Sequence, residues 1–289
     1  MKKRLAPITI TGLLILSLLT ITGCGANAEA GNQITVISRE EGSGTRGAFV
    51  ELFQIEEKDA SGTKIDRTTE DAEIINSNAV VMTSIAGNKN AIGYISLGSL
   101  NETIKALKID GAEATADNIK SGTYQFARPF GIVVKDTGNE AANDFISFIH
   151  STEGQAVIEA NHYISQDTQG DYEPSGLTGS IVVAGSSSVT PVMEKLKEAY
   201  VEQNPGIVIE IQQSDSTTGV SSVLDGICNI GMVSRELKDS EKEAGLEAQV
   251  IAMDGIAIIV NLQNPVEELS GSQVKDIFTG QTGDWSYVQ

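Results

Sequence analysis

A chain of 289 residues with 40% apolar content can fill one large core or two ordinary ones. Its formal net charge of −19 at pH 7 argues against nucleic acid as a partner, which needs basic groups to replace counter-ions. Acidity does not forbid a small anionic ligand, because bulk charge is screened within roughly 10 Å and a local cluster of donors can prevail.

Lys2, Lys3 and Arg4 precede an apolar run from Ile8 to Ile21 that stops at Thr22-Gly23-Cys24. This order reads as an export signal over residues 1–23, too short for a durable membrane span. The small residues before Cys24 predict cleavage there and lipid attachment to the new N-terminal cysteine, a plain secretory peptide being the alternative. Loss of the three cations takes the formal charge to −22. Residues 24–33 are small and polar and form a tether from the membrane. With Cys24 used as the anchor, Cys228 stands alone, which excludes a disulfide framework and a cysteine-based zinc site.

Beyond the tether, short β-branched runs alternate with helical stretches, the pattern of an α/β fold with largely parallel sheets. In chain order, the sequence predicts a strand over Ile34–Ser38 and a helix over Gly44–Phe53. Strands over Ala91–Ser96 and Gly131–Val134 follow, then a single helix over Asn139–Ala160. Residues 166–178 are rich in turn formers and poor in aliphatics, and read as a linker between a block at 34–165 and another at 179–289. The second block has strands over Ile181–Ala184, Ile207–Gln212 and Gly255–Asn261, with helices from Pro191 to Asn204, Gly219 to Gly226 and Ser270 to Phe278.

Three strand-to-helix turns carry the chemistry. Arg39 to Arg46 (Arg-Glu-Glu-Gly-Ser-Gly-Thr-Arg) offers glycines that let backbone approach a ligand, the Ser43 and Thr45 hydroxyls, and free N–H groups at a helix start. Arg39 can make a two-pronged bond to an oxyanion, with Glu40 or Glu41 holding its guanidinium. Gly185 to Pro191 (Gly-Ser-Ser-Ser-Val-Thr-Pro) and Ser214 to Gly219 (Ser-Asp-Ser-Thr-Thr-Gly) repeat the arrangement. Each alone could be no more than a helix cap. Three together point to one shared site beyond the carboxyl ends of the strands.

Catalytic patterns are wanting. The sequence lacks a Gly-x-x-x-x-Gly-Lys-[Ser/Thr] loop, and neither Ser43 nor Ser187 sits in Gly-x-Ser-x-Gly. His150 and His162 are the only histidines, both in or beside the 139–160 helix. The expectation is a binding protein, not an enzyme, with no cofactor and no metal.

At these motifs the sequence resembles the PstS-type phosphate-binding family. Matching segments are Ile34 to Arg46, Asn90 to Gly98, Ile119 to Tyr124 with Arg128-Pro129-Phe130, Val183 to Pro191, Gly231 to Leu237, Ala252 to Ala257, and Ile277 to Gly280 with Trp285. The resemblance implies a type II periplasmic-binding-protein fold, two α/β lobes closing on a dehydrated phosphate. It further implies that Arg39, Ser43, Gly44 and Thr45 form one wall and that Ser187, Ser188 and Ser216 donate from the other. Arg235 would add a cationic donor where other members carry an aspartate after the serine. Asp215 and Asp254 are the candidates for a carboxylate that accepts the phosphate proton. Inorganic phosphate, the permease and ATPase of an ABC importer, and a membrane reached through the lipid at Cys24 are the implied partners, and nucleic acid is not among them. A phosphate sensor or adhesion-type surface lipoprotein of the same fold is the alternative role, and molybdate or sulfate the alternative ligand.

Motif order departs from the family. Its members usually run from the Gly-Ser-Ser-Ser segment to the region of Trp285 before the Arg-Glu-x-Gly-Ser-Gly-Thr segment, and here that last part comes first. One complete set of motifs suggests a circular permutant. In that case the lobes span 125–260 and 31–124 with 261–289, whereas a fragment of a tandem protein would divide the two blocks between different sites.

Overall fold

The computed structural model describes residues 31–60, 63–135 and 138–288. The export signal and Cys24 lie outside them. In chain order the main elements are β1 (Thr35–Arg39), α1 (Gly44–Leu52), β2 (Glu73–Ile75), α2 (Asn78–Gly87), β3 (Ala91–Ser96), β4 (Ala127–Val134), α3 (Glu140–Ile149) and α4 (Thr152–Ala160). They continue with β5 (Gly179–Ser186), α5 (Thr190–Gln203), β6 (Ile207–Ser214), α6 (Ser216–Leu224), β7 (Ile230–Val233), β8 (Ala248–Val260) and α7 (Gly271–Phe278).

The strands join in the order β6-β5-β7-β4-β8-β3-β1-β2. Pairing is parallel within β6-β5-β7 and within β3-β1-β2, and antiparallel on both edges of β8. The two parallel runs belong to separate cores. One holds Ile37, Phe49, Ile85, Tyr94 and Tyr124 with Ile256–Val260 and Phe278. The other holds Phe130, Phe145 and Phe148 with Ile181, Leu196, Tyr200 and Ile251. A smaller cluster of Val220, Val223, Cys228 and Val233 covers the opposite face of the second sheet. Parallel strands sealed on both faces explain why β3 is buried at every residue and reads as an apolar run without alternation.

Each lobe draws on both sequence blocks. Strand β8 runs through the junction, its Ala248–Gly255 stretch pairing with β4 and its Ile256–Val260 stretch with β3. The crossings therefore fall at Asp254-Gly255 and just before Arg128, several residues earlier on β8 than the expected boundary at 260. A buried strand shared by two cores has the same apolar composition on either side of the crossing, so nothing in its sequence marks the point.

The expected single helix over 139–160 is two helices. Ser151 caps α4 by accepting from the Gly154 N–H at 3.2 Å, and its own hydroxyl donates to the Phe148 carbonyl at 2.7 Å. A Cβ on Gly154 would lie 2.0 Å from that carbonyl oxygen, so the tight corner requires glycine. Segment 166–178 lies against the second lobe, where Tyr172 and Ser175 both donate to the Asp144 carboxylate.

Candidate functional site

Four helix starts meet between the lobes. Ser43 caps α1 by accepting from the Arg46 N–H at 3.3 Å, and Ser77 caps α2 by accepting from Val80 at the same distance. Both belong to the first lobe. From the second come α5, preceded by Ser186-Ser187-Ser188, and α6, capped by Asp215 and opening on Ser216. Each start presents N–H groups without an intrahelical partner and the positive end of a helix dipole. Such a setting favours an anion.

Arg39 lies at the end of β1, 1% exposed. Its guanidinium donates to both Glu40 carboxylate oxygens, Nε at 2.9 Å and Nη2 at 2.8 Å, to Asn78 Oδ1 at 3.0 Å and to Ser187 Oγ at 2.9 Å. Behind it, the Arg39 N–H donates to the Tyr94 hydroxyl at 3.2 Å. Burial pushes the Tyr94 hydroxyl up to about 12, so it stays neutral.

From Arg39 the network crosses between lobes. Asn78 Nδ2 donates to Ser188 Oγ at 3.2 Å and to Ser99 Oγ at 3.2 Å, and Ser188 Oγ lies 2.6 Å from Thr45 Oγ1. A second group adjoins it. Ser186 Oγ donates to Ser234 Oγ at 2.9 Å, and the Ser234 N–H donates to Ser216 Oγ at 3.1 Å. Gly44 seats against this group, because a Cβ there would stand 2.4 Å from Ser216 Oγ and 2.5 Å from Ser234 Oγ. Every hydroxyl in the two groups is buried except that of Ser99.

Arg39, Gly44, Thr45, Ser187, Ser188 and Ser216 are thus brought together, with Ser43 at the cap beside them. Arg235 is not. Its guanidinium forks onto Glu241 with two bonds of 2.8 Å and reaches Thr217 Oγ1 at 3.2 Å. Asp215 caps its own helix, its oxygens engaged by the Thr218 N–H at 2.9 Å and the Thr218 hydroxyl at 2.6 Å, and its carboxylate stands against Gly42 of the first lobe, where a Cβ would lie 2.2 Å from Oδ1. Both fell in segments rich in site residues, but each has a local partner that claims its side chain.

Asp254 lies below the cluster, 1% exposed. Its Oδ1 accepts from Ser96 Oγ at 3.0 Å and the Gly98 N–H at 3.3 Å, and its Oδ2 from Arg128 Nη2 at 3.2 Å. Burial pushes its carboxyl up, against the Arg128 guanidinium, which favours the ionised form. Sequence reasoning named Ser186, Ser234 and Arg128 only within their segments and gave them no role, and it missed Asn78. The Asn76-Ser77-Asn78 run ahead of an apolar stretch is a capping signal of the kind used for the other three turns, and would have found α2.

A cradle of neutral hydroxyls and N–H groups around one buried guanidinium can replace the hydration of a small oxyanion by fixed donors. The chain matches the PBP superfamily domain over residues 20–153 and 170–289. It is 51% identical over 287 residues to the phosphate-binding protein PstS 2 of Streptococcus agalactiae serotype V, covering 98% of this chain and 97% of that one. PstS 2 of Streptococcus pneumoniae serotype 4 is 43% identical over 275 residues, 93% of this chain and 94% of its own. Among solved structures, a phosphate-binding protein of a phosphate ABC transporter from S. pneumoniae TIGR4 superposes with a TM-score of 0.70 at 44% identity, covering 89% of this chain and 100% of the other. The fold is accordingly of the periplasmic-binding-protein type, and the chain belongs to the PstS-type phosphate-binding proteins of the PBP superfamily.

Proposed function

We propose that this chain captures inorganic phosphate between its lobes and serves as the solute receptor of an ABC-type phosphate importer. The observation that carries the proposal is the continuous buried network from Arg39 through Asn78 and Ser188 to Thr45, to which both lobes contribute. A tetrahedral anion suits four converging helix starts, and hydroxyls both donate to its bare oxygens and accept from a protonated one. The relatives' names and the crystal structure of a transporter's phosphate-binding protein support the same ligand.

Calorimetric titration of the soluble chain tests this. Phosphate should bind at a ratio of one. Absence of phosphate binding by the folded chain would overturn the proposal.

Two further parts of the proposal concern attachment and order. Cys24 carries lipid and holds the mature chain on the outer face of the membrane, near its permease and ATPase. A Cys24→Ala chain should then be released or left unprocessed, and membrane fractionation at mature size would refute the anchor. The chain is also a circular permutant of the usual order, a reading supported by the short distance between Ile34 and Gly283, whose N–H and carbonyl bond at 2.9 Å. A variant with residues 34 and 288 joined by a short linker and opened near residue 170 should still bind phosphate.

A further inference from the structure

Resting on the phosphate reading, the geometry points to Arg128 and Asp254 as a hinge clamp: a positioning pair that fixes the angle between the lobes and so brings the two walls of the anion site into register. The two residues are Cα partners on β4 and β8, the strands that carry the chain from one lobe to the other. Their side chains are 2% and 0% exposed and joined at 3.2 Å. From this point the pair reaches both ways. Asp254 holds Ser96 Oγ and the Gly98 N–H of the first lobe, in the turn that continues to Ser99, and Ser99 Oγ accepts from Asn78 in the anion network. Arg128 Nη1 donates at 3.2 Å to the carbonyl of Ser234 in the second lobe, whose own hydroxyl accepts from Ser186.

A closed ring results, from Asn78, which Arg39 holds, through the 96–99 turn, Asp254 and Arg128 to Ser234, and back through Ser186 Oγ, which accepts from the Ser188 N–H at 3.2 Å, to the Ser188 hydroxyl that Asn78 meets. Rotation of one lobe against the other would pull either Gly98 from Asp254 or Ser234 from Arg128. Buried polar groups are costly when left unpaired, so the arrangement at hand is favoured over intermediate angles. Neither residue touches Arg39, Thr45 or Ser188 by a hydrogen bond. Arg128 and Asp254 therefore act on the ligand through the groups they hold.

Only an arginine can serve both Asp254 and Ser234, since its fork directs separate N–H groups to each while a lysine offers one compact charge. Arg128→Lys and Asp254→Asn separate the possibilities. A clamp predicts that both variants bind phosphate at least tenfold more weakly than the parent, yet reach the parent's compact form in small-angle scattering once saturated. It also predicts that Arg128→Lys, although it keeps the charge, does not rescue affinity. Folded variants with affinity within twofold of the parent would make the pair merely structural, and loss of binding even at saturating phosphate would make one of them a ligand. Either result overturns the clamp. Should neither variant fold, amide exchange in the parent decides: the Gly98 N–H should gain at least fivefold protection on adding phosphate, and an unchanged rate would refute the idea. If the parent itself fails to titrate with phosphate, the ligand assignment fails. The clamp is then judged by whether the folded variants are less compact than the ligand-free parent, equal compactness overturning it.

Discussion

Thr45 Oγ1 and Ser188 Oγ stand 2.6 Å apart although they lie on different lobes, 143 residues from one another in sequence. Both are about 1% exposed, so the contact exists only where the lobes have closed on one another. One hydroxyl spends its single proton on this contact, and the other keeps its own to donate to an anion.

Thr45→Ala and Ser188→Ala should each weaken phosphate binding by about fivefold to twentyfold, from the loss of one hydrogen bond of roughly 1–1.5 kcal/mol plus an unpaired neighbour. Because the two act on one ligand from opposite walls, the double variant should depart from additivity by at least about 0.5 kcal/mol. A titration cycle with strictly additive losses would place the two hydroxyls in separate sites.

Arg39→Lys should cost more than either. The guanidinium meets Glu40, Asn78 and Ser187 at once, a set that an ammonium cannot reproduce from one point. The expected loss is about 1.5–3 kcal/mol, roughly tenfold to 150-fold in Kd. Arg235→Ala provides the contrast. With Glu241 occupying its fork, Arg235 should change phosphate affinity by less than about threefold, and a larger effect measured on the folded chain would return it to the site.

Gly44→Ala tests the close approach of the lobes. The added methyl would sit 2.4 Å from Ser216 Oγ and 2.5 Å from Ser234 Oγ, both on the other lobe and both fully buried. Closure would have to stop short, and phosphate affinity should fall by about a hundredfold or more, since each 1.4 kcal/mol of lost contact is a factor of ten. A chain whose lobes stand apart without phosphate would meet no such clash, and its thermal stability without phosphate should change little.

Much of this was legible because it rests on local signals. The glycine and hydroxyl turns at Gly42 to Thr45 and at Ser186 to Ser188 name themselves, since few other residues satisfy a helix start facing a ligand. What could not be read was partnership. Arg39 and Arg235 look alike in sequence, each in a Ser-Arg-Glu run, yet the immediately following Glu40 holds Arg39 in the cluster while Glu241, six residues on, draws Arg235 out of it. Arg128 and Asp254 are further from reach, because their pairing depends on the register of two strands joined only by the tertiary fold. The break at Ser151 was local but overlooked, its capping serine lying inside an otherwise helical pattern.

The Arg235–Glu241 pair should appear in stability as a function of pH. Burial alone would push the Glu241 carboxyl up, but the Arg235 fork and the Lys238 N–H outweigh it and hold the carboxyl below its ordinary value of 4.5. A lowered folded-state value contributes stability above pH 4.5, lost as pH falls through the folded-state value. Glu241→Gln should therefore destabilise by about 3 kcal/mol at pH 7, as for other broken buried pairs, with a difference that shrinks below pH 4.5. Urea unfolding at several pH values checks it, and a pH-independent difference would show that the charge does not matter.

In sequence the segment 166–178 has the composition of a linker, yet it is anchored to the second lobe. One oxygen of Asp144 accepts from the Tyr172 hydroxyl at 2.6 Å, the Tyr200 hydroxyl at 2.6 Å and Ser175 Oγ at 2.9 Å, while Asn204 Nδ2 donates to the Tyr172 hydroxyl at 3.0 Å. Tyr172 also packs edge-on against Phe148 of the second core, with ring centroids 5.2 Å apart. A free linker has no such attachments, and its cleavage or substitution costs little. Here the carboxylate ties the segment to α3 and α5 by bonds strengthened through its charge. Asp144→Asn should lower stability by about 1–3 kcal/mol, and Tyr172→Phe by about 1 kcal/mol, since it removes one donor and keeps the ring. Both should speed proteolysis within 166–178 while leaving phosphate affinity unchanged, because neither residue bonds to any group of the anion network. Unaltered stability in Asp144→Asn would return the segment to the status of a passive connector.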